Sequence, residues 1–232
     1  MKTLIIIPAR MGSKRFPGKP LKVLAGKPLL QWTYEAAVQV KDARVLITSP
    51  DREICQWCQS RGILWCPTRE DHLTGTHRCA EALDLVKGDV KPDIVVNWQC
   101  DEPLADPRKV EEAIGECWRY RVICTLTAPQ SSLNEEESFV SVAEENQVAH
   151  WFSRAYLLGG TRHCGVYVFP ASILREIGRL EPTVLSRIES LEQLTWVQQG
   201  YTIRTVALDK LYPAVNYKSD LIRVGEILKD AN

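Results

Sequence analysis

Residues 5–21 read IIIPARMGSKRFPGKPL. An apolar, β-branched run opens into a loop that carries glycines, prolines and four cations: Arg10, Lys14, Arg15 and Lys19. In open α/β sheets, ligands bind beyond the carboxyl ends of the strands, and this loop follows the first strand directly. Gly12 and Gly18 let backbone come close to a ligand, and Ser13 offers an N–H and a hydroxyl. Guanidinium forks at Arg10 and Arg15 match phosphate oxygens, and Lys19 adds a mobile point charge. Most basic runs are solvated surface. The position after a buried strand, together with the glycines, points instead to a cradle for more than one phosphate. The spacing is neither GxxxxGK[ST] nor GxGxxG, so common nucleotide motifs do not explain it.

The rest of the chain makes that local charge more informative. Lys+Arg and Asp+Glu balance at 29 each over 232 residues, which argues against a general nucleic-acid-binding surface. The apolar run Leu4 to Ile7 is too short for a signal peptide, and no stretch is long enough to span a bilayer. A cytoplasmic protein without a membrane partner is expected. Eight cysteines in such a chain read as buried thiols. Cys55 and Cys58 form a CxxC inside a helix-like stretch, with no second pair at zinc-module spacing.

Strand-like and helix-like segments alternate along the first half. Strands are expected at 3–7, 43–49, 63–66, 93–98 and 122–128, and helices at 28–40, from Asp51, at 74–86 and at 107–120. Strands that are apolar throughout imply a sheet covered on both faces. Strands at 147–153, 164–169 and 201–208 follow, with a helix at 185–200 ending at Gly200 and a last helix near 218–230. One domain over 1–232 is the economical reading.

Four stretches then carry a family resemblance. They are IPARMGSKRFPGKPL, TREDHLTGTHR (68–78), VNWQCDEPL (96–104) and RHCGVY…SLEQL (162–194). In this order they resemble the sugar nucleotidyltransferases, above all the 3-deoxy-manno-octulosonate cytidylyltransferase (CMP-Kdo synthetase) family. The resemblance implies a Rossmann-like, GT-A-like α/β fold with a mostly parallel central sheet and helices on both faces. It also implies a homodimer, Mg²⁺, and the reaction CTP + 3-deoxy-sugar acid → CMP-sugar + pyrophosphate.

The same resemblance assigns residues. Arg10, Arg15, Lys19 and Asp101 would act on the triphosphate. Pro8, Ala9, Arg10, Gly12, Ser13 and Lys19, with Arg69, Asp71, Gly75 and Thr76, would line the nucleotide site. The sugar would meet Arg78, Gln99, Arg162, His163 and Tyr167. Ser186, Glu189 and Gln193 would join them from one face of the helix 185–200. Asp101 is the expected metal ligand, because a carboxylate beside a triphosphate needs a cation between them. Asn216 stands where the family has a second metal-binding Asp, so one charge near the ion is lost. Glu102 reads as part of an exposed turn.

Other departures cluster. Cys100 replaces a Gly, His77 and Ser186 replace acids, and Thr195 replaces an Arg. The segment between Arg154 and Arg162 is shorter than in the family. Two alternatives therefore stand beside the main reading: transfer to a different or smaller sugar, and a catalytically weak nucleotide-binding homologue. The histidines His72, His77, His150 and His163 have no metal-ligand spacing.

Overall fold

The computed structural model describes residues 1–13, 15–86, 91–130, 139–210 and 212–230, so Lys14 of the basic loop lies outside the described residues. The chain forms β1 (Thr3–Pro8), a 3-10 turn (Lys19–Leu21), a small hairpin of β2 (Val23–Leu24) and β3 (Lys27–Pro28), and α1 (Leu29–Ala37). Next come β4 (Ala43–Ser49), α2 (Arg52–Gln59), β5 (Trp65–Pro67), α3 (Gly75–Leu85), β6 (Ile94–Trp98) and α4 (Pro107–Tyr120). The second half holds β7 (Ile123–Pro129), β8 (Ser141–Glu145), β9 (Val148–Ser153), β10 (Thr161–Pro170) and α5 (Ala171–Ile177). It ends with α6 (Val184–Glu189), α7 (Gln193–Gln198), β11 (Ile203–Ala207) and α8 (Asp220–Asp230).

Among the described residues nine strands form one sheet in the order β5-β4-β1-β6-β10-β7-β11-β9-β8. The first four pair in parallel, as their unbroken apolar character requires. Along β1, Ile5 and Ile7 enter the core under α1, α2 and α4, while Leu4 and Ile6 enter the opposite core with α3 and α5. Both faces are therefore covered. β10 then runs antiparallel to β6 and β7, and β9 antiparallel to β11 and β8. β10 also pairs with β8, so the strands β10-β7-β11-β9-β8 close on themselves. The sheet is thus mixed, parallel in its first half and largely antiparallel in its second.

Local signals explain the helices. α4 begins at Asp106, whose carboxylate accepts the Arg108 N–H at 2.9 Å, with Pro107 in its first turn. Val110, Ala113, Ile114 and Cys117 give it a buried stripe at helical spacing.

The single helix expected over 185–200 is two. The chain breaks at Ser190, which adopts a left-handed conformation (φ 54). Most of the apolar surface of α6 misses the core: Val184 and Ile188 are exposed and Leu185 is half-buried against it, while Leu191, Leu194 and Trp196 are buried. One periodic stripe in sequence is therefore two surfaces in space. The Arg154 guanidinium donates to the Glu189 and Ser190 carbonyls freed at the break. The expected shared face of Ser186, Glu189 and Gln193 does not exist. Gly200 does end the second helix with positive φ.

A third core cluster positions the site. Phe16 from the basic loop and Val215 from the C-terminal segment pack with Leu24, Leu29, Trp32, Val224 and Leu228. The loop after β1 is anchored by its one buried aromatic, and α8 holds the chain end against it. Among the described residues no helix is long and apolar enough to cross a membrane.

Candidate active site

The carboxyl ends of β1 and β6 and the first turn of α3 surround a cleft of about 750 Å³. That volume suits a nucleotide-sized ligand. Its walls carry Arg10, Arg15, Lys19, Arg78 and Arg154 against the carboxylates Asp101 and Glu189. Both acids are already engaged. Lys19 Nζ lies 2.7 Å from Asp101 Oδ2 and also donates to the Val215 carbonyl at 2.9 Å. Glu189 accepts the Arg154 N–H at 2.9 Å. The cleft therefore presents an excess of positive charge.

Two of the guanidinium groups are depressed. Burial first, then Arg10, holds Arg78 below the usual guanidinium range, and burial followed by Arg15 does the same to Arg154. Arg78 is 3% exposed and among the described residues donates to neutral oxygens, Thr68 Oγ1 at 2.8 Å and the carbonyls of Arg69 at 2.7 Å and Glu70 at 3.5 Å. An excess of like charge gathered in one cleft suits an anionic ligand.

Gly75 opens α3 where side chains cross. A Cβ there would lie 3.1 Å from Gln99 Nε2 and 3.3 Å from Pro8 Cγ. Glycine thus lets Gln99 and Pro8 meet at the cleft floor. Gly18 supplies the left-handed turn (φ 72) that starts the Lys19 turn. Cys100 causes no such difficulty. Its thiol packs into the core, its carbonyl accepts from Thr33 Oγ1 at 2.7 Å, and burial pushes its pKa up to about 12. The side chain in place of glycine costs neither strain nor a reactive thiolate.

A second pocket of about 210 Å³ adjoins the cleft, sharing Arg15, Gln99, Asp101 and Arg154 with it. Arg162, His163, Tyr167 and Gln193 line it. Tyr167 is buried and accepts from the Gln193 amide. His163 faces Thr125 Oγ1 at 2.9 Å and stacks near Tyr167. Burial, then Arg154, lowers the His163 pKa to about 3, so the ring is neutral at ordinary pH. Gln193 Oε1 is buried without a partner among the described residues, an acceptor facing a polar ligand's donors.

Several expected residues lie elsewhere. Arg69 and Asp71 pair loosely at 3.7 Å, their side chains 69% and 74% exposed, and neither lines either pocket. His72 and Thr74 of the same loop do line the cleft, His72 bound to Glu81. Thr76 is fully buried and accepts from Asn97 Nδ2 at 2.9 Å, a structural role. Ser186 is buried under the Thr183 cap of α6, away from both pockets. Gly12 lies off the cleft wall, whereas Pro8, Ala9 and Ser13 form part of it. Arg78, assigned to the sugar, lines the nucleotide-sized cleft, as does Glu189.

Sequence reading underrated two residues. Glu102 is not an exposed turn residue. Its carboxylate accepts the Gly165 N–H at 2.8 Å, and burial, then Asp101, raises its pKa to about 8. A Cβ at Gly165 would lie 2.8 Å from that carboxylate, so Glu102 needs the glycine of the opposing strand. The β10 bulge at Cys164–Tyr167 is the structural expression of this fit. Arg154, at the end of β9, was legible only as part of WFSR.

Among the described residues no group of three or more His, Cys, Asp or Glu could hold an ion. Asp101 presents a carboxylate to the cleft just past the end of β6, Glu189 is engaged by the Arg154 backbone N–H, and the Asn216 amide oxygen accepts from Arg15 at 3.2 Å. This fits a Mg²⁺ held by one carboxylate and a ligand's phosphates, as Mg²⁺ commonly is. It does not fit an all-protein cage.

The cytidylyltransferase family model matches residues 4–203. The 3-deoxy-manno-octulosonate cytidylyltransferase of Halorhodospira halophila is 36% identical over 248 residues, covering 97% of this chain and 96% of that protein. That of Syntrophotalea carbinolica is 34% identical over 252 residues, covering 99% of each. Among solved structures, CMP:2-keto-3-deoxy-manno-octonic acid synthetase complexed with CTP superimposes with a TM-score of 0.90 at 33% identity over 100% of both chains. The 4-diphosphocytidyl-2C-methyl-D-erythritol synthase of Anaerococcus prevotii, at 12% identity and a TM-score of 0.67, shares the fold over 98% of this chain and 96% of that one. With a basic cleft at the carboxyl ends of a Rossmann-like sheet and full-length similarity to these enzymes, the chain belongs to the 3-deoxy-manno-octulosonate cytidylyltransferase family.

Proposed function

We propose that the chain transfers a cytidylyl group from CTP to the anomeric hydroxyl of a 3-deoxy-sugar acid. The hydroxyl oxygen forms a bond to the α-phosphorus, the bond from that phosphorus to the bridging oxygen of the β-phosphate breaks, pyrophosphate leaves with that oxygen, and the hydroxyl proton is released to solvent. The observation that carries this reading is the cleft itself: five cations around a nucleotide-sized space, opening into a smaller polar pocket. Relatives and a CTP-bound structural neighbour of the same family supply the identity of the nucleotide.

Arg10, Arg15 and Lys19 would hold the triphosphate and stabilise the charge that develops on departing pyrophosphate, so catalysis is chiefly positioning and electrostatics. Arg78 and Arg154 would add fixed positive charge, and Gln99 would stand between the two ligands. The acceptor pocket, with Arg162, neutral His163, Tyr167 and Gln193, would take the sugar acid. Its carboxylate suits Arg162, and its hydroxyls suit the unpartnered Gln193 oxygen. A Mg²⁺ ion bound through Asp101 and phosphate oxygens would supply the charge neutralisation that lets a carboxylate face a triphosphate. Lys19 would have to exchange its ion pair with Asp101 for a phosphate contact when substrate enters. We place the enzyme in the cytoplasm, as a homodimer, without a nucleic-acid or membrane partner.

Pyrophosphate release measured across nucleoside triphosphates and sugar acids tests the assignment. CTP with a 3-deoxy-sugar acid should give the fastest release. Faster release with another sugar class would move the acceptor assignment, and no release in any combination would favour a nucleotide-binding homologue.

A further inference from the structure

Asn216 sits where the C-terminal segment meets the basic loop. Its Oδ1 accepts from an Arg15 guanidinium nitrogen at 3.2 Å, and that guanidinium lies 5.3 Å from the Tyr217 ring centroid. Arg15 lines both the nucleotide-sized cleft and the acceptor pocket. It occupies the seam where the two ligands would react.

The residues that hold Arg15 are themselves held. Asp220 accepts the backbone N–H of Asn216 at 2.6 Å and of Tyr217 at 2.7 Å. Asp220 starts α8, whose Val224 and Leu228 share a core with Phe16 and Val215. On the other side, the Val215 N–H donates to the Asp101 carbonyl at 2.9 Å, and Lys19 reaches the Val215 carbonyl. The segment 215–220 is therefore fixed to the cleft floor, the basic loop and the last helix.

The chemistry of the acceptor matters. Lys19 is matched by a carboxylate, whereas Arg15 is met by a neutral amide and an aromatic face. A neutral acceptor orients a guanidinium without cancelling its charge. An amide oxygen already facing an arginine is also poorly placed to receive a second cation.

We propose that Asn216 is a positioning residue for Arg15 and not a metal ligand: it holds the guanidinium at the seam with its charge available to an anion there. That anion is a phosphate of the nucleotide or the carboxylate of the sugar acid. The proposal rests on the reading of the two pockets as nucleotide and sugar-acid sites.

Calorimetric titration of CTP in excess chelator, followed by Mg²⁺ addition and by KM for the sugar acid, tests it on the whole protein. The variants are Arg15→Ala, Asn216→Ala, Asn216→Asp and the double Arg15→Ala/Asn216→Ala, each checked for an unchanged melting temperature. Asn216→Ala should weaken CTP binding or raise the sugar-acid KM on the order of tenfold or less. Asn216→Asp should do at least as much harm, because a carboxylate would neutralise Arg15. The double variant should be no worse than Arg15→Ala alone. The proposal is overturned if Asn216→Asp tightens Mg²⁺-dependent CTP binding or lowers the Mg²⁺ requirement, which is the behaviour of a metal ligand. Additive losses, or normal binding and KM in Asn216→Ala, overturn it as well. The chelator arm needs no turnover: the expected binding pattern without pyrophosphate release would keep the positioning role and reject the reaction.

Discussion

The two halves of the sheet pose different folding problems. β5, β4, β1 and β6 pair in parallel, each close in sequence to the helix that covers it, and the carboxyl ends of β1 and β6 border the basic cleft. β10, β7, β11, β9 and β8 close on one another through antiparallel pairings except for the parallel pair β7 and β11, and residues of β10 line the acceptor pocket. The first half is written in local patterns, apolar strand and amphipathic helix. The second depends on partners far along the chain, such as Glu102 with Gly165 and Arg154 with Glu189. The nucleotide-sized cleft therefore draws most of its walls from the first half, with Arg154 and Glu189 added from the second, whereas the acceptor pocket draws mainly on the second.

The largest effect should come from the nucleotide half. Lys19→Ala removes a charge-assisted contact from the transition state and should cost on the order of 2–4 kcal/mol in activation free energy, read as kcat/KM with the melting temperature unchanged. Asp101→Asn should be comparably damaging. A Lys19→Ala enzyme with near-normal turnover would break the claim that this half carries the chemistry.

Legibility in the sequence follows the same division. The strands of the first half, the Asp106–Pro107 start of α4 and the basic loop were all recoverable, because each signal lies within a few residues. The stretch 185–200 looked like one amphipathic helix, since periodicity cannot say which surface an apolar stripe faces. β8 and α5 went unforeseen. Glu102 looked solvent-exposed, because its partner is a glycine N–H on a strand 63 residues away. Arg69 was carried by motif position and Ser186 by an expected shared helix face, and the fold puts neither at a pocket wall.

A smaller effect sharpens the comparison from the acceptor side. Gly165→Ala would press a methyl against the Glu102 carboxylate and break its bond to the Gly165 N–H. We expect a loss of about 1–3 kcal/mol in stability by thermal or urea unfolding, with the sugar-acid KM raised more than the CTP KM. Equal effects on both substrates would blur the division between halves.

The pH dependence of stability gives a further test. Glu102 titrates at about 8 in the folded protein against an ordinary 4.5, because burial and Asp101 disfavour its charge. The raised value means its contribution is fully present below about 4.5 and is lost progressively as pH rises through about 8. Glu102→Gln, which cannot ionise, should show a melting temperature that falls less over that interval than the parent protein. Parallel curves would mean that Glu102 is charged already. The smallest effect is expected at Ser186→Ala, with a sugar-acid KM within about twofold of the parent, since the side chain is buried away from both pockets.

The central claim is that the cleft joins a cytidylyl group to the anion seated in the adjoining pocket. A phosphorus NMR time course of the purified protein with CTP, Mg²⁺ and a 3-deoxy-sugar acid tests it most directly. The account predicts that the α-phosphate signal is replaced by a phosphodiester while pyrophosphate accumulates in equal amount. Release of orthophosphate with CDP, or an unchanged CTP spectrum with every sugar acid tried, would contradict it.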